Sequence, residues 1–133
     1  MICIRRLLAL LVLSCPALLR AAPGDLDTTF GAGTGWVSTG FAETRVNIEG
    51  MDVLWQADGK LVVAGFSWGS GNNDALLARY NADGTLDTTF GDDGWITTAM
   101  LGTGANDYAY SVIQQTDGKL VVAGYNWNGS QNE

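Results

Sequence analysis

The residues "QADGKLVVAGFSW" at 56–68 return almost letter for letter as "QTDGKLVVAGYNW" at 115–127. Repetition at a fixed period constrains a fold more than composition does. Each copy must adopt the same local structure and bury its apolar surface on its neighbours. The repeat extends beyond this phrase. "GDLDTTFG" at 24–31 returns as "GTLDTTFG" at 84–91, and "GWVST" at 35–39 returns as "GWITT" at 94–98. The offset is 60 residues at the first landmark and 59 afterwards, with the slip where "GAGTGW" becomes "GDDGW".

Within one period the apolar residues follow strand spacing. "GWVST" is rich in β-branched and aromatic residues. "GMDVLWQ" alternates, with Met51, Val53 and Trp55 on one face, and "KLVVAGF" is apolar on both faces. "DALLARY" divides into Leu76, Ala78 and Tyr80 against Ala75 and Leu77. The segments between carry turn chemistry: "ADGK" at 57–60, "TDGK" at 116–119 and "NADGT" at 81–85. Asp-Gly between strands is the strongest short hairpin signal. Beyond the leader no apolar helical period lasts ten residues. Each unit is therefore expected to supply about four antiparallel strands, the recipe for a propeller blade, with inner strands covered by a neighbour on each side. Lys60 and Lys119, just after the turns, are expected to face water, and Trp36 and Trp95 to be core.

The first 22 residues differ from the rest. Arg5 and Arg6 precede "LLALLVLSCPALL", and small residues follow. This is the pattern of a secretory signal peptide, with cleavage expected near Ala21 or Ala22. The apolar run is short for a span of ~20 residues, and Pro16 disfavours a spanning helix. A rival reading takes "VLSC" as a lipobox with Cys15 as the lipidated residue, which would give a lipid-anchored surface protein. Cys3 and Cys15 both lie in the leader, so the mature chain has no disulfide. Without Arg5, Arg6 and Arg20, four basic residues face fourteen acidic ones, a net charge of −10. Such a chain repels phosphate backbones and anionic membranes, so neither nucleic acid nor membrane insertion is expected of the mature chain.

"LARYNADGTLDTTFG" at 77–91 and "QTDGKLVVAG" at 115–124 resemble the delta-60 repeat, a β-propeller domain of unknown function whose units run to about sixty residues. The resemblance covers residues 24–133. It implies a propeller-like array of the kind found in tandem in exported bacterial proteins, located outside the cell or at its surface. It implies no enzyme activity and no catalytic residues. Arrays of this family usually hold more copies. Glu133 aligns with Asp74, the residue opening "DALLARY", so the chain is expected to be a fragment of a longer protein. Assembly of several copies into a ring and a two-unit sandwich are the alternatives, since open sheet faces and edges need a cover.

Chemistry has few candidates. Histidine is absent, which removes the commonest general base and zinc ligand, and the mature chain has no thiol. "GAGTG" at 31–35 is not a dinucleotide fingerprint, and its counterpart "GDDG" would repel phosphate. Asn81, Asp83 and Asp87 are candidate calcium ligands, but their spacing is not that of a calcium loop. Asp27 and Asp87 fit better as turn caps. Trp68 and Trp127, one per unit in polar loops, could stack on sugars or anchor a partner, with blade packing as the competing role. Trp55 has Gln114 as its counterpart, so the repeat does not demand it, and it is the candidate for a unit-specific contact.

The reading is an all-β, partial β-propeller-like array of four-stranded antiparallel units. A signal peptide spans 1–22, the first unit 23–82 and an incomplete second unit 83–133. The expected function is an exported, non-catalytic scaffold without cofactors that contacts protein or glycan, secreted or at the cell surface, with further repeats or self-association closing the array. The alternatives are the N-terminal piece of a larger propeller enzyme and a lipoprotein anchored through Cys15.

Overall fold

The computed structural model describes residues 22–41, 46–69, 71–100, 102 and 104–128. The leader, Cys15 and Ala21 lie outside the described residues. Among the described residues six strands form two antiparallel sheets: β1 (Val46–Trp55), β2 (Leu61–Gly69), β3 (Asn72–Tyr80) and β4 (Trp95–Thr98) in the order β1-β2-β3-β4, and β5 (Asn106–Gln114) with β6 (Leu120–Trp127). The fold is all-β and propeller-like, as the repeat implies.

The repeated phrase forms the same hairpin twice. Asp-Gly turns join β1 to β2 and β5 to β6, closed by Gln56 N–H to Lys60 C=O and Gln115 N–H to Lys119 C=O, each at 2.8 Å. Gly59 and Gly118 sit at φ +85° and +86°, which a side chain would resist. Both hairpins also carry a bulge at matched places, between Gly50 and Asp52 and between Ala109 and Ser111. There the strands approach closely. A Cβ on Gly65 would lie 1.8 Å from Glu49 O, and one on Gly124 1.8 Å from Tyr108 O. The glycine of "VVAG" is thus fixed in both units by the neighbouring backbone.

The second sheet stacks face-on against the first through β5. The core between them joins Val62, Ala64 and Ala75 of the first sheet to Ala109 and Val112 of the second, with Leu54, Leu77, Leu120 and Val122 around them. The two sides of "DALLARY" divide as the alternation requires: Ala75 and Leu77 join this core, while Leu76 and Ala78 are buried on the other face.

Three expectations need correction. The sheet is out of phase with the sequence period. Its fourth strand, Trp95–Thr98, belongs to the second copy and pairs with Ala75–Ala78 of the first. The first-copy counterpart, 36–39, forms no strand, since β4 already occupies the outer edge of β3. Trp36 is accordingly exposed rather than core, whereas Trp95 is half-buried with Phe41 edge-on at 6.1 Å. Lys60 does not simply face water. It folds back on Asp87 at 2.7 Å, because β4 and the segment before it bring that carboxylate against the first hairpin.

Candidate functional site

Two kinds of surface stand out: polar turns rich in aspartate, and aromatic residues left uncovered by sheet stacking.

The turns are built by one device. Asp27, Asp83 and Asp87 each accept from the backbone N–H and the hydroxyl of the threonine two residues on, Thr29, Thr85 and Thr89. These bonds favour the ionised carboxyl. They hold Asp27 and Asp83 below the ordinary carboxylate range, the threonine hydroxyl being the main cause. Asp87 lies far below that range. The Lys60 ammonium is the largest cause, followed by the Thr89 hydroxyl, with the Arg79 guanidinium also contributing at 2.7 Å. Arg79 itself rests over the Phe90 ring at 4.6 Å.

Two of the three calcium candidates, Asn81 and Asp83, meet on the Thr85 hydroxyl, while Asp87 is bonded elsewhere. Asn81 donates to the Thr85 hydroxyl, Asp83 is spent on Thr85, and both oxygens of Asp87 are engaged by Lys60, Arg79 and Thr89. Among the described residues no group of three or more acidic, histidine or cysteine side chains gathers as a metal site. "GAGTG" forms a single 3₁₀ turn, Gly31–Gly33, whose Gly31 N–H donates to Asp83 C=O. The open groove of about 540 Å³ beside it includes Asp83 and Trp36 in its wall, which suits no phosphate.

The internal repeat measures what stacking covers, because positions of β1 and β2 that lie under the second sheet recur in β5 and β6 on a face that no described residue covers. Val62 is 0% exposed under the second sheet, while its counterpart Val121 is 42% exposed. Phe66 is buried and its counterpart Tyr125 is open. Trp68 and Trp127 behave differently, at 39% and 45% exposed. Their exposure is almost the same with and without the second sheet as a neighbour. Both sit at strand ends, paired with Asn73 and Asn106 respectively. Trp55, at the end of β1, is the most exposed large apolar residue among the described residues.

One group escaped the sequence reading. Tyr108, Tyr110 and Tyr125 stack, with Tyr108 and Tyr125 centroids 4.8 Å apart and Tyr110 and Tyr125 5.4 Å apart. Phe66 meets Tyr108 edge-on at 4.8 Å, and the Tyr108 hydroxyl accepts from Asn73. A hydrogen bond with the Tyr110 hydroxyl pushes the Tyr125 phenol upward. The signal was present as a departure from the repeat, since Tyr108 and Tyr110 stand where the first unit has Glu49 and Met51.

No curated protein and no solved structure matches this chain. Residues 56–90, which run from the first Asp-Gly turn through β3 to the Asp87 clasp, match the family model described as "Domain of unknown function (DUF5122) beta-propeller", and the repeat is thereby similar to a β-propeller repeat family.

Proposed function

We propose that the chain is an exported, non-catalytic scaffold of delta-60-type repeats that presents aromatic residues for protein or glycan contact at the cell surface. The observation that carries this reading is the matched exposure of Trp68 and Trp127. A tryptophan kept in both units and left partly open in each is available to a partner outside the array. An exposed indole at a polar strand end offers a stacking face for a sugar ring or an anchor for a partner. Five carboxylates support the non-catalytic part. Asp27, Asp52, Asp83, Asp87 and Asp117 all shift downward, whereas a carboxylic acid serving as a proton donor near neutral pH needs the opposite shift.

The test has two parts. Mass spectrometry of the chain recovered from cells expressing it with its leader should show a mature N-terminus beginning at Ala22 or Pro23. A lipid-modified start at Cys15 would replace secretion with anchoring, and an intact Met1 in the cytosol would overturn export. Titration with chito-, cello- and malto-oligosaccharides, and with cell-surface protein extracts, should then quench tryptophan fluorescence saturably. The response should vanish in the Trp68→Ala/Trp127→Ala double variant. A response that survives in that variant, or none from any probe, would refute the binding role.

A further inference from the structure

The repeat also shows what fits the two sheet faces left open. The first unit is covered by Val112, Val122 and Leu120 of the second, which pack on Leu54, Val62 and Ala64. The covering residues have counterparts in the first unit, Val53, Val63 and Leu61, on its face away from the second sheet. Val112 is 4% exposed and Val53 is 60% exposed. The covered residues have counterparts in the second unit, Ile113, Val121 and Ala123, on its own outer face, and all three are exposed. The chain thus displays at one end the face that covers and at the other the face that is covered.

The charges repeat the pattern. Asp87, in the second unit ahead of β5, binds Lys60 of the first. Its counterpart Asp27 lies ahead of β1 in the first unit, and among the described residues only Thr29 engages its carboxylate. Lys119, the counterpart of Lys60, is largely exposed and paired with its own neighbour Asp117.

We infer that a second copy of this chain docks head to tail. Its Val53 face lies on the Ile113–Val121–Ala123 face of the first copy, and its Asp27 lies against Lys119 there. This deepens the scaffold reading above by naming one partner and its surface. Trp55 follows the same template. Its counterpart Gln114 lies with Gln56, Ala57 and Asp58 of the first turn, so Trp55 would lie on the turn containing Gln115 and Asp117 of the preceding copy. The two faces differ, so the contact is heterologous and extends to a ring or a filament rather than closing as a symmetric dimer.

Sedimentation velocity on the chain, expressed with its leader, tests this over roughly 1 to 100 μM, the range in which a micromolar contact titrates. The mean mass should rise with concentration past that of a dimer. Val53→Lys and Val121→Lys should each leave monomers, because each removes one half of every junction. Mixed together they should form a one-to-one pair and nothing larger, since each retains the face the other has lost. Both sites are exposed, so the fold should persist. As a second readout, Asp27→Lys and Lys119→Asp should each weaken association, and their mixture should recover pairing. Monomers at every concentration would overturn the inference, as would one lysine variant that assembles normally. A double-lysine variant that still aggregates would place the sticky surface elsewhere. Oligosaccharide binding through Trp68 and Trp127 is read separately, so either result can fail without the other.

Discussion

Val62→Ala and Val121→Ala remove the same two methyl groups from matched positions in the two units, so their difference isolates what stacking contributes. Val62 is fully buried between the sheets. Losing two buried carbons at about 0.8 kcal/mol each removes about 1.5 kcal/mol of transfer energy. The cavity left between packed sheets adds about 1 kcal/mol, for a total near 2.5 kcal/mol. Val121 is open to water over 42% of its surface and leaves no enclosed void, so its cost in dilute solution is about 1 kcal/mol or less. With a urea slope of about 1.5 kcal/mol/M, the midpoint should fall by about 1.7 M for Val62→Ala and by about 0.7 M or less for Val121→Ala. Urea titration followed by far-ultraviolet circular dichroism reads both. Equal shifts in dilute solution would refute the stacking of β5–β6 on the first sheet. If copies associate, raising the protein concentration should enlarge the Val121→Ala cost and leave that of Val62→Ala unchanged.

Three further outcomes follow from the geometry. Gly65→Ala and Gly124→Ala each force a Cβ into a backbone carbonyl at 1.8 Å, and each should cost about 2 kcal/mol or more by urea titration; free tolerance of either would refute the close approach at the bulges. The folded pKa of Asp87 is depressed, so its contribution to stability is complete above its unfolded value near 4 and is lost as pH falls through the window below; Asp87→Asn should flatten the fall of Tm between about pH 4 and pH 2, and an unchanged slope would contradict the clasp. Lys60→Ala should lower Tm more than Lys119→Ala, since Lys60 bridges two units while Lys119 pairs only with Asp117 beside it in the same turn, and equal effects would argue against that bridge.

Local structure was legible because local rules decide it. Both Asp-Gly hairpins, the turn at 81–85 and the two sides of "DALLARY" follow from turn chemistry and period-two alternation. The aspartate caps were legible for the same reason. Partners distant in sequence were not. Lys60 meets Asp87 only after β3 and the following turn return the chain, and no spacing rule encodes that contact. Trp36 and Trp95 are the same residue in the same motif, yet one is exposed and the other half-buried, because a single free edge was available on β3. Identical letters cannot report which copy finds the edge. The exposure of Trp68 and Trp127 was legible only as one of two readings, since a tryptophan repeated in both units serves contact or packing equally well and alternation places Trp68 in line with the buried Phe66.

The phase difference between sequence period and sheet gives the repetition a physical role. Residues 84–98 are written in the second copy but complete the first sheet, through β4 on β3 and through Asp87 on Lys60 and Arg79. The first unit therefore depends on the second twice, once by backbone pairing and once by charge, before any apolar contact is counted. In stacked-repeat proteins, stability resides in such junctions as much as in the units. A change in 84–98 should accordingly destabilise β1 to β3 as well as its own segment, and the two sheets should unfold together rather than in turn. The same coupling explains why the open faces are as apolar as the covered ones. A surface encoded by the repeat is shaped for a neighbour wherever it occurs, whether or not one is present, and Val53 at one end and Val121 at the other are the residues that carry that encoding into solvent.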